Sequence, residues 1–158
     1  MAKLSHLDDD GKAHMVDITD KPATAREAVA RAKVSLSKST VRLITERGLP
    51  KGDAIEVARL AGIMAAKQTA QLIPLCHPIP ISSVVINCTI EDELVCIEAR
   101  VLTNASTGPE MEAMTAASVA ALTLYDMVKS VDRDVEIRDI CLLEKRGGKS
   151  GHWKRKTQ

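Results

Sequence analysis

The chain has 158 residues, with 22 Lys and Arg against 21 Asp and Glu, and therefore a formal net charge of +1. This length predicts a single domain spanning 1–158, and the near-neutral charge disfavours a general nucleic-acid binder. Aromatic residues make up 1 % of the chain and Phe is absent, so the core must be aliphatic and base stacking on aromatic platforms is not expected.

Hydrophobic periodicity predicts strands and helices in mixed order along the chain. The expected elements are short strand 14–18, strand 28–36, a short helix between Ser37 and Gly48, helix 54–71, strands 83–90 and 94–102, helix 110–131 and strand 135–144. Asp53, three residues before Glu56, resembles a capping box, and Pro109 suits the first position of a helix. Three prolines between 74 and 80 predict a stiff extended loop. This order, without a βα repeat, indicates an α+β fold.

The charge is unevenly distributed. Residues 145–158 contain six basic side chains and no acidic one, which leaves 16 basic and 21 acidic residues elsewhere, a balance of −5. A basic end predicts either an anionic partner or a solvated terminus, and for Lys154–Lys156 we favour the solvated terminus. Residues before about 4 and after about 153 are expected to be disordered.

The compartment is inferred from what the sequence lacks. Residues 1–11 carry an acidic run at Asp8–Asp10 and no apolar stretch of the signal-peptide kind, and nowhere do 18 consecutive apolar residues occur. The four cysteines form no C-x-x-C pair, which disfavours zinc ribbons and thioredoxin-like motifs. We therefore expect a cytoplasmic protein with no membrane association and no protein-bound metal.

The first candidate for chemistry is the proline-flanked pair Cys76-His77. Flanking prolines lower the entropic cost of holding a side chain in one pose, which suits His77 to ligand binding or proton transfer. A histidine that satisfies local backbone groups is an equally good interpretation. Because adjacent residues of an extended segment point to opposite sides, we expect Cys76 to face the core and His77 to face outward.

The second candidate is the long helix, which carries charged residues at both ends. Glu110 and Glu112 can simply complement the helix dipole, and Asp126 with Lys129 can simply form a surface ion pair. Fourteen residues separate Glu112 from Asp126, which places both on one helix face about 21 Å apart. One small ligand could contact both only if the same helix of a second subunit ran antiparallel to the first.

The third candidate is a set of lysines near glycines. Lys51 sits in a Pro-Lys-Gly turn, Lys67 lies on the second predicted helix, and Lys145 and Lys149 flank Gly147–Gly148. Glycine backbone amides and lysine charge together suit a phosphate. The composition predicts an anion-binding segment and nothing more specific.

Three long motifs carry a resemblance to a known family. The segments Leu72-Ile-Pro-Leu-Cys-His-Pro78, Gly108 to Lys129 and Gly147-Gly-Lys-Ser-Gly151 are similar to the cyclic pyranopterin monophosphate synthases, protein C of molybdenum cofactor biosynthesis. Shorter matches at 14–17 and 51–53 extend the resemblance over nearly the whole chain. The resemblance implies a lyase that converts 3′,8-cyclo-7,8-dihydroguanosine 5′-triphosphate to cyclic pyranopterin monophosphate and releases pyrophosphate.

The same resemblance implies architecture and partners. It implies a ferredoxin-like antiparallel sheet with helices on one side, assembled as a hexamer, a trimer of dimers with sites at the dimer interfaces. The partner is then a small molecule, the cyclic dihydroguanosine triphosphate, and not a nucleic acid. No redox or radical cofactor is implied. Mg²⁺ on the substrate triphosphate is compatible with the sequence, although no protein metal motif calls for it.

Position by position, the resemblance implies that Asp126 is a catalytic acid/base and Lys129 its catalytic partner. The remaining implied residues bind substrate: Leu75, Cys76, His77, Glu110, Met111, Glu112, Lys51, Lys67, Lys145 and Lys149. The sequence departs from the family at Arg146, where a small residue is usual. The alternative function is a non-catalytic nucleotide triphosphate-binding module, which would have little use for an acid such as Asp126 near a triphosphate.

Overall fold

The computed structural model describes residues 6–8, 10–149 and 151–156. Its elements are β1 (Thr24–Ser35), α1 (Lys38–Thr45), α2 (Ala54–Lys67), α3 (Thr69–Leu72), β2 (Ile81–Glu91), β3 (Leu94–Ala105), α4 (Glu110–Val128), β4 (Glu136–Arg146) and β5 (Trp153–Lys154). In this part of the chain five strands form one antiparallel sheet, with four helices, so the expected α+β class is confirmed. The strand predicted at 14–18 is wrong, because these residues lie outside every strand.

The sheet has the strand order β2-β3-β1-β4-β5, with β1 at its centre. Alternation along β1 places Ala28, Ala30, Ala32 and Val34 on one face, where all four are fully buried. Their partners on β3 are equally buried. α4 packs on this face against β1, β3 and β4, while α2 packs against α4 and β2. The core therefore lies between one face of the sheet and these helices.

Small side chains bring α2 and α4 close together. Gly62 on α2 faces α4, and a Cβ at this position would stand 3.0 Å from the Ala116 carbonyl oxygen and 3.2 Å from the Ala120 Cβ. The helix begins as predicted, since the Asp53 side chain accepts a hydrogen bond from the Glu56 amide. Its predicted end at about residue 71 is wrong, because α2 ends at Lys67 and the short α3 follows.

Asp132, just beyond the end of α4, is bonded to the start of α1. One carboxylate oxygen of Asp132 accepts from the Ser37 amide and from the Thr40 hydroxyl, each at 2.9 Å. Ser37 is also the N-cap of α1, and its side chain accepts from the Thr40 amide. These bonds connect the C-terminal end of α4 to the beginning of α1.

The basic end of the chain is more ordered than its composition predicts. Trp153 and Lys154 form β5, which pairs with β4, and the Arg155 amide donates to the Leu143 carbonyl oxygen at 2.8 Å. The expectation of disorder after about residue 153 is therefore wrong for residues 153–156. The other predicted disordered end, before about residue 4, lies outside the described residues. Among the described helices, none has the length and apolar character that a membrane span requires.

Candidate active site

A pocket of about 400 Å³ lies at the start of α4. It brings together six of the residues predicted from the sequence: Leu75, Cys76, His77, Glu110, Met111 and Glu112. None of the residues of its other wall is assigned to the site from the sequence; this wall comes from the segment before β1 and includes His6, Val16, Ile18 and Lys21. The Ser106 hydroxyl donates to the Lys21 carbonyl oxygen at 2.7 Å, which attaches this segment to the loop before α4.

Cys76 and His77 both line this pocket, and both are half-buried. The prediction that Cys76 faces the core while His77 faces outward is therefore wrong. The reason is a turn, in which the Cys76 amide donates to the Ile73 carbonyl oxygen at 3.1 Å with Pro74 at its second position. A turn ends the strict alternation of an extended segment. Burial raises the pKa of the Cys76 thiol, and the Glu112 carboxylate raises that pKa further.

Glu110 and Glu112 occupy different environments in the first turn of α4. Glu112 is only 4 % exposed, and burial raises the pKa of its carboxyl, with a further contribution from Glu110. Glu110 instead forms an ion pair with Lys145 of β4, with 3.0 Å between Oε1 and Nζ. Gly108 leaves room for this arrangement, because a Cβ there would overlap the Glu110 carboxylate.

The glycine turn after β4 lies against Arg26, which connects it to the loop before α4. Gly147 and Gly148 have φ of 93° and 66°, and a Cβ on Gly148 would overlap the Arg26 guanidinium. Arg26 donates to the carbonyl oxygens of Ala105 at 2.9 Å and Ser106 at 3.1 Å, immediately before α4. The turn that carries the predicted phosphate lysines is thus held near the start of α4.

A second group of predicted residues lies at the opposite end of α4. The Asp126 carboxylate contacts two ammonium groups, that of Lys129 at 2.7 Å and that of Lys51 at 2.9 Å. Lys51 also donates to the Asp126 carbonyl oxygen at 2.7 Å. The hydrogen bonds from Lys129 and Lys51 lower the pKa of Asp126 to about 2, and Asp126 raises the pKa of Lys129. Lys51 and Lys129 line a neighbouring cavity of about 360 Å³ with Arg133.

The structure therefore divides the predicted residues between the two ends of one helix. The fourteen-residue spacing from Glu112 to Asp126 corresponds to about 21 Å along α4. Lys67, exposed at the end of α2, and Lys149, exposed after β4, line neither pocket. Within the described residues, no three His, Cys, Asp or Glu side chains form a group that could hold a metal ion.

These features define a small α+β protein with a pocket at the start of α4 and a lysine–aspartate cluster at the other end of that helix. Family comparison makes the assignment specific: the chain belongs to the MoaC family, whose model matches residues 15–148. This result confirms the resemblance carried by the three sequence motifs.

Relatives of known name match the chain over almost its full length. It is 55 % identical over 157 residues to the cyclic pyranopterin monophosphate synthase of Thermomicrobium roseum, covering 98 % of this chain and 95 % of the relative. Identity to the protein of the same name from Cereibacter sphaeroides is 56 % over 155 residues, covering 97 % of this chain and 98 % of the relative. For that of Parvibaculum lavamentivorans it is 54 % over 156 residues, covering 98 % of each.

Proposed function

We propose that the chain is a cyclic pyranopterin monophosphate synthase. As such it is a lyase that converts 3′,8-cyclo-7,8-dihydroguanosine 5′-triphosphate to cyclic pyranopterin monophosphate and releases pyrophosphate in molybdenum cofactor biosynthesis. The observation that carries this proposal is the cluster in which Asp126 lies between Lys51 and Lys129. Family membership and the names of the three relatives support the same activity.

The cluster is suited to proton transfer. Opening and reclosing a purine ring requires several protons to move, which carboxylate and ammonium groups can transfer. Asp126 keeps Lys129 in its ammonium form, so we assign Lys129 the role of proton donor. With a pKa of about 2, Asp126 is an anion in the free chain. A substrate group that draws either ammonium away raises that pKa toward its ordinary value, and Asp126 then acts as the acid/base.

The other end of α4 supplies groups for the substrate's ring and its phosphates. Lys145 and Lys149, with the amides of Gly147–Gly148, are assigned to the triphosphate together with Lys67, because cations stabilise the charge that develops when pyrophosphate leaves. The Lys145 ammonium uses one of its three donors for Glu110, at 3.0 Å, which leaves others for a phosphate oxygen. The reaction involves no net oxidation or reduction, so the proposal needs no redox cofactor, and it includes no protein-bound metal. Mg²⁺ on the triphosphate is compatible with it.

The pocket residues are assigned to the substrate's ring. The set is Leu75, Cys76, His77, Glu110, Met111 and Glu112. Leu75 and Met111 provide apolar contacts, while His77 and Glu112 provide hydrogen bonds and proton transfer. Within the described residues no Phe, Tyr or Trp lines this pocket, so the ring has no large aromatic side chain to stack on.

We propose further that the site is completed by a second copy of the chain. One small ligand cannot bridge the 21 Å between Glu112 and Asp126 of one helix, but an antiparallel α4 from a neighbour brings the two ends together. Exposed apolar side chains offer a surface for such contacts, since Val57, Leu60 and Met64 on α2 are 42 %, 60 % and 52 % exposed. Burial of such a stripe between copies stabilises an oligomer.

The detailed architecture belongs to the same proposal. The order β1-α-β2-β3-α4-β4, with β1 between β3 and β4, matches the split βαβ arrangement, and we therefore assign a ferredoxin-like fold. We assign the functional form as a hexamer, a trimer of dimers with sites at the dimer interfaces. A reaction on a nucleotide-derived metabolite fits a cytoplasmic location.

The decisive experiment follows pyrophosphate release from the substrate by the wild-type chain, Asp126→Asn and Lys129→Ala. We expect both variants to lose turnover by about 10²- to 10⁴-fold, the usual contribution of acid–base groups, while substrate binding is largely kept. Glu46→Gln is the matched control, because Glu46 is a similarly exposed acid in a helical ion pair with Arg42. Unchanged pyrophosphate release in both variants would refute the mechanism. A wild-type chain that binds substrate without turnover would instead support the binding module.

The shared site has its own test. Glu112→Gln and Lys129→Ala, each inactive alone, are unfolded together and refolded as a mixture. If the two residues come from different copies, mixed assemblies contain some intact sites and regain part of the activity. Sedimentation is expected to show a hexamer. A monomer at micromolar concentration that retains activity would exclude the shared site.

A further inference from the structure

A cavity of about 600 Å³ opens on the face of the sheet opposite the helices. Arg31 and Lys33 of β1 line it, and they alternate with the fully buried Ala30 and Ala32 that face the core. Five basic side chains and one acidic side chain line this cationic groove: Arg31, Lys33, Lys154, Arg155, Lys156 and Asp139. None of these residues lines the pockets at the two ends of α4.

Arg31 is the groove's least satisfied cation. Its Nε is inaccessible to water and has no hydrogen-bond partner among the described residues. One terminal nitrogen lies 3.9 Å from the Cys141 sulfur, a weak acceptor. Glu98 faces Arg31 in the strand register but forms no ion pair with it within the described part of the chain. The half-buried guanidinium is thus left without a carboxylate, and because its Nε is shielded, its terminal nitrogens are the donors that an anion in the groove can reach.

The sheet is locally distorted where this groove forms. Arg31 pairs with Cys141 and Lys33 with Arg138, so two residues of β4 stand opposite Ala32. One of the two is Asp139, with φ of 54°, a left-handed conformation that is unusual for a residue other than glycine. Bulges redirect side chains and occur often beside functional sites. Here the bulge turns Asp139 toward Lys33, at 2.9 Å, and it is the one carboxylate of the groove.

The tail of the chain forms the other wall and is held in place by the backbone. Trp153 and Lys154 pair with β4, the Arg155 amide donates to Leu143, and the Arg155 Nε donates to the Leu142 carbonyl oxygen at 2.7 Å. These bonds hold Lys154 and Arg155 against the sheet. The run Lys154–Lys156 is exposed, as expected for a solvated terminus, and its side chains also line the groove.

We propose that the cationic groove binds the diphosphate or triphosphate group of a small molecule, at a site separate from the proposed lyase site. Five cations against one carboxylate leave an excess of four positive charges, which matches the charge of pyrophosphate or a nucleoside triphosphate. Two guanidinium groups, Arg31 and Arg155, suit the paired oxygens of phosphate. The volume lies in the range of small-molecule sites and leaves room for a nucleoside. The proposal does not depend on the lyase activity.

The test is calorimetric titration of the full chain with pyrophosphate and, separately, with ATP at physiological salt. Lys51→Ala/Lys145→Ala is used as a second background, in which the lyase site competes less for ligand. Two groove variants are compared, Arg31→Ala/Lys33→Ala in the sheet and Lys154→Ala/Lys156→Ala in the tail. The tail variant leaves the core untouched. Lys38→Ala/Arg42→Ala on α1 removes the same charge far from the groove.

Both groove variants are expected to raise the pyrophosphate Kd at least tenfold, while the α1 control changes it less than twofold. In the groove variants and in the α1 control, made in the otherwise wild-type chain, kcat of the lyase stays within twofold. ATP binding tighter than pyrophosphate binding identifies a nucleotide as the ligand, and equal affinity identifies the diphosphate alone. An unchanged Kd in the groove variants overturns the proposal. If the α1 control loses as much affinity for pyrophosphate as the groove variants, the effect is one of net charge, and the proposal is overturned as well. Loss of turnover together with binding assigns these cations to the lyase site instead.

Discussion

Removal of the Asp132 carboxylate tests the connection between the end of α4 and the start of α1. Asp132→Ala deletes the acceptor of the Ser37 amide and of the Thr40 hydroxyl, both at 2.9 Å. Hydrogen bonds to a charged group contribute about 1.5–3 kcal/mol each. The Thr40 hydroxyl keeps the Ser37 hydroxyl as a neighbour at 2.9 Å, and water reaches the half-buried Asp132, so the two bonds are only partly lost. We therefore expect the free energy of unfolding to fall by about 2 kcal/mol.

The measurement is chemical and thermal unfolding followed by circular dichroism. For a chain of this size, about 2 kcal/mol corresponds to a fall in Tm of roughly 4–8 °C. Asp134→Ala is the matched control. Asp134 is exposed and lies two residues after Asp132, so this substitution removes the same charge from the same segment. A loss below about 0.5 kcal/mol, or an equal loss in the control, would show that these bonds do not hold the two helices together.

The same variant has a predicted pH dependence. The bond from the Ser37 amide, with that from Thr40, lowers the pKa of Asp132 in the folded chain. A carboxyl whose folded pKa is lowered stabilises the fold above its unfolded pKa, and this contribution disappears as pH falls through the folded pKa. The difference in free energy of unfolding between wild type and Asp132→Ala should therefore have its full value at pH 7 and decrease below about pH 4. A difference that is constant down to pH 2 would contradict the assignment.

Three further outcomes are expected. Gly62→Val should lower the free energy of unfolding by about 1–3 kcal/mol in thermal unfolding, because even a Cβ at this position would stand 3.0 Å from the Ala116 carbonyl oxygen. Leu60→Val, on the exposed side of α2, is the control and should have little effect. Glu112→Gln should have a higher urea midpoint of unfolding than wild type at pH 7, because burial raises the Glu112 pKa and makes its charged form destabilising. This difference in midpoint should disappear near pH 4, where Glu112 becomes protonated. Equal midpoints at pH 7 would contradict the prediction. Lys145→Ala should lower kcat as well as raise KM for the substrate, because Lys145 is assigned to the charge that develops as pyrophosphate leaves; a higher KM with kcat unchanged would limit Lys145 to substrate binding.

Elements determined by local pattern were predictable from the sequence. The β2–β3 pair follows from alternation on both sides of a short turn, and α4 from its long apolar repeat after Pro109. The order of the sheet could not be derived from local pattern, because β1 pairs with β3 and β4 across long separations that no local signal encodes. β5 was missed because a Trp-Lys pair has no apolar alternation and is held by backbone hydrogen bonds alone.

The candidate site divides in the same way. Asp126 and Lys129 are three residues apart on one helix, so their contact follows from helix geometry. Lys51 is 75 residues from Asp126, and its place in the cluster required the fold. His6 and Lys21 come from a segment without regular structure, whose position over the pocket leaves no periodic trace. Composition suggested an anion partner for the basic end, but the bulge that builds the cationic groove was not visible.

The short strand β5 determines what an optical experiment on this chain reports. Trp153 is the chain's one tryptophan, is 40 % exposed and lies in a two-residue strand at the edge of the sheet. Its emission therefore monitors the attachment of that edge, and the aliphatic interior contributes nothing to the signal. Short edge elements open before the rest of a domain. A fluorescence transition that precedes the dichroism transition would then mark the detachment of one edge strand while the core of the fold stays intact.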